Sequence, residues 1–364
     1  MPIELWTPND LYELRRDDRM DDVPSHFLDT YFTAGPYAED GEIRFGDLEE
    51  ADRFLAPFVL PYEQGRPISY SEAESVEAFR LPYIKPKGVV RPEDARNLKP
   101  SEIFRNGGEP PSLQERFDAR VAELDRRFRR MIHMRKAWMA ARAFIDASVQ
   151  IDYERDQGAA NPSVLLNFGR AANQNVTLLA DFWDDPATPI LDDLEEWLNI
   201  MYLADGGGSG SDLIVGAKVA PLFRKNNQVK DMLDTRYRGG EDVSINRGIQ
   251  RIHQPMQYIG QLDSGLKVWT YKDTVDIPTV GGGKARVDLF NEKDILLVAP
   301  GSQGIVATGP IYDTKAIEAG MVAEEVFVKM WETEDPGERH LMAQASFLPI
   351  NTKPNRQFKA RVLA

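Results

Sequence analysis

The chain has 364 residues, a formal net charge of −14 and no cysteine. That length predicts at least two domains at about 100 to 200 residues each, and the missing cysteines exclude disulfide scaffolds, thiolate metal sites and cysteine nucleophiles. No apolar run nears the ~18 residues that span a bilayer, and the acidic balance repels a polyanion at long range, which argues against general nucleic-acid binding.

The opening residues, Met1 to Trp6, carry no basic segment followed by an apolar one, so the chain is expected to stay where it is made, in a reducing cytoplasm. Residues 1–53 mix Pro, Asp and Gly with spaced aromatics and read as an arm. Such a segment cannot build its own core. Its Phe27, Tyr31 and Phe32 therefore need another surface, on the same subunit or on a neighbour. In residues 54–100 the prolines 57, 61, 67, 82, 86, 92 and 100 forbid a continuous helix. Phe79, Leu81 and Tyr83 alternate with Arg80, Pro82 and Ile84, the period of a half-buried strand. Pro82 cannot donate to a central ladder, which makes this an edge strand or a projecting ribbon, with polar residues 69–75 as its solvated tip. A two-stranded ribbon is marginal alone and rests on something else.

The strongest helix signal follows Pro110 and Pro111. Ser112 with Glu115 three residues later is a capping box, and the helix is expected to run to about Asp146. Phe117, Val121, Leu124, Phe128, Met131, Ile132, Trp138, Met139 and Ile145 form its apolar stripe. Arg126, Arg127, Arg129 and Arg130, followed by Arg135 and Lys136, are placed on the opposite face. They are either a nucleic-acid contact or, as expected in an acidic chain, a solvated face paired with carboxylates.

Residues 149–153 and 164–168 read as strands around the turn-rich Asp156, Gln157 and Gly158, so a sheet is expected near the long helix. After Pro186 and Pro189 the pattern predicts a helix over 191–204, a buried strand over 213–216, a helix over 221–233 and a core strand over 295–298. The glycine-rich stretches 206–211 and 281–283 read as loops, the first as a flexible tip. Beyond Gly309 and Pro310, alternation over 326–331, a turn at Asp335, Pro336 and Gly337, and a return over 343–350 predict an antiparallel pair. Residues 358–363 predict a last strand.

The residues of common active sites do not assemble in the sequence. His26, His133, His253 and His340 lack metal-ligand spacing, and each is expected to be structural. Gly281 to Lys284 lacks the spacing of a phosphate loop, and Ala285 stands where the motif has Ser or Thr. Ser209 lacks the second glycine of a nucleophile elbow, because Ser211 occupies that place. Asp184, Asp185, Asp192, Asp193, Glu195 and Glu196 read as acids favoured at helix starts. No catalytic, cofactor-binding or metal-binding residue is assigned. An arm and a ribbon that need partners describe an assembly subunit, since a closed shell repeats modest contacts many times.

Several strings then resemble one family, the phage major capsid protein E family typified by the coat protein of phage lambda. They are Phe79 to Lys87, with Tyr83, Ile84, Lys85, Pro86 and Lys87; Lys230 to Arg236, with Leu233, Asp234, Thr235 and Arg236; Asp335 to Arg339; Gln344 to Pro349; and Val362 to Ala364. His26 to Phe32 is a fainter likeness to an aromatic arm, and the series is collinear along nearly the whole chain. The resemblance implies an α+β, Hong Kong 97-type capsid fold. Its parts would be an N-terminal arm (1–53), an extended β-hairpin loop (54–100), a peripheral domain with a spine helix (101–186, helix about 112–146), an axial α/β domain (187–309) and C-terminal strands of the peripheral domain (310–364). Residues 206–211 have no counterpart in the family.

The implied function is that of a major capsid protein, not an enzyme. Copies form hexamers and pentamers of an icosahedral shell around the double-stranded DNA of a tailed bacteriophage. The implied partners are the chain itself, a separate scaffolding protein and a portal protein at one vertex; a decoration protein is not carried over without its contact residues. Assembly is expected in the host cytoplasm and the product in the virion, with no membrane and no cofactor. The expected intersubunit contacts are Phe27, Tyr31 and Phe32 in the arm, and Ile68, Tyr70, Phe79 and Tyr83 in the loop. The rival readings are a DNA-binding protein using the basic helix from Arg126 to Lys136, and a metal-dependent hydrolase using the acidic clusters.

Overall fold

The computed structural model describes residues 6–17, 25–45, 77–91, 93, 96, 111–153, 163–231, 255–262, 265–278, 283–334 and 337–364. The chain divides into two compact units. The first is Met1–Glu42, Arg80–Ala141 and Ile305–Ile350; the second is Ile43–Phe79, Arg142–Gly304 and Asn351–Ala364. The breaks expected from the sequence, at 186/187 and 309/310, are not the ones observed. Residues 142–186 and 351–364 fold with the second unit because their strands enter its sheet.

The long helix, Leu113–Ile145, lies in the first unit as far as Ala141, and its last residues, from Arg142, belong to the second. Its capping box is formed in full: the Glu115 N–H donates to Ser112 Oγ at 3.2 Å, and the Ser112 N–H donates to Glu115 Oε2 at 2.7 Å. Phe117, Val121, Phe128, Ile132, Met139 and Ala140 bury one face. Met131 departs from the predicted stripe and is 52% exposed, because the buried line runs from Phe128 to Ile132, one helical turn on, and leaves Met131 to its side.

The sheet of this unit has the order Phe32–Tyr37, Gly304–Thr308, Glu338–Asn351, Phe327–Thr333, and the short strands Tyr83–Ile84 and Lys87–Val90 also pair with Glu338–Asn351. The predicted antiparallel pair is present, with Phe327 opposite Gln344 and Thr333 opposite Glu338. The sheet rests on the helix through Gly88, where an added Cβ would lie 2.9 Å from Phe128 and 3.0 Å from Leu124. The single strand expected over 79–84 is instead two. Glu77–Arg80 pairs with Glu42–Phe45, whereas Tyr83 and Ile84 pair with Ser346 and Ala345. The break falls at Leu81 and Pro82, since proline cannot donate and the Leu81 N–H goes to Gly41 O at 3.0 Å.

The second unit is built on a mixed six-stranded sheet in the order Met256–Gln261, Lys267–Tyr271, Asp212–Gly216, Asp294–Val298, Gln357–Arg361, Asn175–Thr177. Every residue of Asp294–Val298 is buried. The last strand lies antiparallel to Asp294–Val298 and parallel to Asn175–Thr177. Helix Ile190–Leu203 presents Ile190, Leu194, Trp197 and Met201 to this core. The Trp197 ring stacks between Trp183 at 5.7 Å and Phe358 at 5.5 Å. Ser148–Asp152 and Ser163–Asn167 form an antiparallel ribbon after the long helix; the turn at Asp156 to Gly158 lies outside the described residues.

Two expectations for this unit are corrected. The helix predicted over 221–233 is Val219–Phe223, with helical residues resuming at 227–231. Buried Asn226 separates the two: its Oδ1 accepts from the N–H groups of Gln228 and Val229 at 2.9 and 3.4 Å, an N-cap, and its Nδ2 donates to Pro186 O and Thr188 O. The stretch 206–211 is a packed connection and not a flexible tip. An added Cβ at Gly207 would collide with Met201 O, and the Ser211 N–H donates to Val298 O at 2.9 Å.

The C-terminal end of the long helix, also in this unit, is closed by side chains. Arg170 donates to Phe144 O and Ile145 O, both at 2.7 Å, and to Pro354 O at 3.2 Å. Asn351 Nδ2 donates to Ala143 O at 3.1 Å, and Lys359 Nζ to Asp146 Oδ1 at 2.6 Å. These cations and amides satisfy carbonyls that the helix itself leaves without partners. Burial lowers the Arg170 guanidinium to about 10.

Candidate assembly surfaces

The expected contact residues occupy different settings. Helix His26–Tyr31 buries Phe27 and is followed by buried Phe32, 2% and 8% exposed. Both rings are packed inside their own subunit. Tyr31 is half-buried, its ring 6.2 Å from that of Phe27. Ser25 Oγ donates to Asp29 Oδ2 at 2.6 Å and lies 3.3 Å from His133 Nε2 of the long helix, and burial holds the pKa of His26 and of His133 below the ordinary histidine value. Phe79 is half-buried, 6.4 Å from Phe168 in the second unit. Ile68 and Tyr70 lie outside the described residues.

Tyr83 belongs to a polar network of the first unit. Its Oη donates to Gln344 Oε1 at 2.7 Å and accepts from the Tyr312 N–H at 3.1 Å. Gln344 Nε2 in turn donates to Asp313 Oδ2 at 2.6 Å, and Lys329 pairs with the same carboxylate. Burial pushes the Tyr83 hydroxyl up to about 12. Burial also works against the Asp313 charge, but its bonds from Lys329 and Gln344 outweigh it and hold the carboxyl below the usual range.

The register of the same sheet sorts its side chains into two faces. Gly88, Leu341 and Met330 stand in one row, turned to the long helix. Lys87, Met342 and Lys329 form the next row on the opposite, outer face, followed by Val89, His340 and Trp331. Two ammonium groups flank one indole there, Lys87 Nζ at 5.3 Å and Lys329 Nζ at 5.7 Å from the Trp331 ring, while His340 stacks on that ring at 5.3 Å. Lys85 Nζ lies 4.7 Å from the Tyr83 ring. Of these cations Lys329 is neutralised by Asp313, and Lys85 and Lys87 are exposed.

A second charged feature of the unit is the turn from Ala38 to Gly41, closed by the Gly41 N–H to Ala38 O at 3.2 Å. Glu39, Asp40 and Glu42 are exposed on it, and an added Cβ at Gly41 would collide with the hydroxyl of Tyr312, which is 61% exposed. Sequence reasoning did not single out Trp331, Lys329 or Asp313 because their partners are far apart in the chain. The local signal that was present is the string Tyr83, Lys85, Lys87, with every second residue turned to one face.

The basic helix is not the continuous exposed stripe that the DNA-binding reading requires. Arg129 is 8% exposed and pairs with fully buried Asp125 at 3.0 Å. Arg135 lies over the Trp138 ring at 5.5 Å, and Lys136 pairs with Glu325 at 2.6 Å. The acidic clusters hold local structure: Asp193 accepts from Trp183 Nε1 at 2.9 Å, with burial raising its pKa, and Asp185 accepts from the Ala187 N–H. Among the described residues, no group of His, Asp or Glu has the arrangement to hold a metal ion. Lys284 begins strand Lys284–Asp288, paired with Thr274–Pro278, so it does not follow a phosphate loop into a helix. No described helix is long and apolar enough to cross a membrane.

The comparisons with known proteins agree with a shell subunit. Among solved structures, a protein described as the capsid protein of a prophage of Escherichia coli CFT073 has 16% sequence identity and a TM-score of 0.67, covering 99% of this chain and 100% of that chain. A phage-related protein from Bordetella bronchiseptica RB50 has 12% identity and a TM-score of 0.49, covering 98% of each chain. No curated protein matches the chain in sequence. The first likeness shows the fold, the mixed helix and sheet of a phage capsid protein. The family model described as phage major capsid protein E matches residues 18–362, nearly the whole length, and the chain therefore belongs to that family.

Proposed function

We propose that the chain builds an icosahedral shell around double-stranded DNA, as hexamers and pentamers organised by a separate scaffolding protein, with a portal protein at one vertex. The observation that carries this reading is the family match across residues 18–362. The first unit, with the long helix and its sheet, is the peripheral part, and the second unit is the axial part near the capsomer centre. Assembly takes place in the host cytoplasm, and the finished protein resides in the virion. DNA is enclosed without sequence reading, which fits a wall of net charge −14.

Contacts between copies use Tyr31, Phe79 and Tyr83, which keep exposed surface, together with Ile68 and Tyr70. Arm and loop wrapping together give an interface in the large class, above ~2,000 Å² for each pair. Negative-stain microscopy of the expressed protein, with and without its scaffold, tests the reading. Closed shells or capsomer rings are expected, and a monomer at every concentration in both conditions would end it. Deleting residues 69–75 is expected to leave a folded subunit and abolish shells; normal shells from that variant would remove the loop from the contact.

A further inference from the structure

We infer that the outer sheet face of the first unit, through Lys85 and Lys87, receives the acidic turn carrying Glu39, Asp40 and Glu42 of a second copy. The inference rests on the shell reading and adds which surface meets which. Its first support is sign. In a chain of net charge −14, Lys85 and Lys87 make a local cationic face, and the exposed turn offers three carboxylates. Among the described residues, none of these five side chains takes part in an ion pair, so their charges are free to meet a partner.

The second support is order. Each lysine lies over a ring, Lys85 over Tyr83 at 4.7 Å and Lys87 over Trp331 at 5.3 Å. A long side chain already confined by a cation–π contact loses less conformational freedom when it binds. Lys329 is taken by Asp313, which leaves Lys85 and Lys87 as the available lysines of this face among the described residues. Two cations suit one small acidic turn. They are few for duplex DNA, which carries a charge every ~1.7 Å. Apolar surface flanks both halves, Val89 beside Lys87 and Tyr312 beside the turn.

The third support is symmetry. Tyr312 beside the turn and Tyr83 beneath Lys85 have ring centroids 5.9 Å apart, so the two halves adjoin, and two copies related by a two-fold axis each offer the turn to the other's lysines.

The test uses the full chain with its scaffold. One variant is Lys85→Glu with Lys87→Glu; the other is Glu39→Lys with Asp40→Lys and Glu42→Lys. Each alone should lose at least tenfold of the sedimenting assemblies while melting at the wild-type temperature. One chain carrying all five changes should regain assembly, and an equal mixture of the two variants should associate as mixed pairs. Wild-type assembly by either variant, or no recovery in the combined chain, would overturn the inference while leaving the shell reading intact. A loss of DNA binding in the lysine variant without loss of assembly would also overturn it.

Because the chain has no cysteine, a readout independent of shells is open. Chains bearing Lys85→Cys and chains bearing Asp40→Cys are mixed and oxidised. A mixed disulfide dimer, absent when either is paired with a cysteine at exposed Leu179, supports the contact even if no shell forms, and its absence counts against it. Should the lysine variant fail to fold, Lys85→Gln with Lys87→Gln replaces it. Its residual assembly should be insensitive to salt between about 0.05 and 0.5 M, a range that weakens exposed ion pairs in the wild type.

Discussion

The end of the long helix in the second unit and the outer sheet face in the first both use cations, to opposite ends. Arg170 is half-buried and directs its guanidinium at carbonyls of Phe144, Ile145 and Pro354. Lys85 and Lys87 are exposed and lie over aromatic rings, without ion pairs among the described residues. A half-buried cation whose main acceptors are backbone atoms holds a fold. An exposed one held by ring faces is available for association. The two sites thus separate stability from assembly within one chain.

The strongest way to break this comparison is Arg170→Ala, which removes the guanidinium that donates to the carbonyls of Phe144 and Ile145. It should cost about 3 kcal/mol of subunit stability, measured by chemical denaturation. Arg170→Lys should recover less than half, because one ammonium cannot reproduce the planar fork. Trp197→Ala, which opens the stack between Trp183 and Phe358, should cost about 3–5 kcal/mol and serves as a reference for apolar packing in the same unit.

A smaller effect concerns acid. Burial works against the Asp146 charge, yet Lys359 and Arg142 outweigh it and lower its pKa. A carboxylate whose folded pKa is depressed contributes stability that is complete above the unfolded value, near ~3.9, and is lost as the pH falls through the folded value. Asp146→Asn should therefore lower stability at neutral pH and make the acid limb of the stability profile shallower. An unchanged limb would show that the pair with Lys359 contributes nothing. The smallest effect is expected for Lys87→Ala, below about 0.5 kcal/mol in denaturation because the side chain is exposed. A loss of several kcal/mol there would erase the distinction between the two sites.

How much of this was legible in the sequence depended on how far each cause reaches along the chain. The long helix was readable because its capping box and the spacing from Phe117 to Ile132 lie within a few turns. The pair Phe327–Thr333 and Glu338–Asn351 was readable from its alternation. The break at Asn226 was missed because the residue caps one helix while tying down Pro186 and Thr188, about forty positions away. Arg129 was placed outward from its company of arginines, although Asp125, one turn earlier, draws it into the interior. Of the expected contact residues, Phe27 and Phe32 pack within their own subunit, one of the two surfaces that the sequence left open. Arg170 had no local mark at all, since its acceptors come from residues 144–145 and 354.

Strand Gln357–Arg361 lies between Asp294–Val298 and Asn175–Thr177, both made earlier by the ribosome. Until residue 361 has left the exit tunnel, that slot stays open and Trp197 lacks one of its two stacking partners, Phe358. A polypeptide that stops before this strand therefore carries an unfilled gap in a hydrophobic sheet. The topology leaves the second unit's sheet incomplete until its last-made strand is in place.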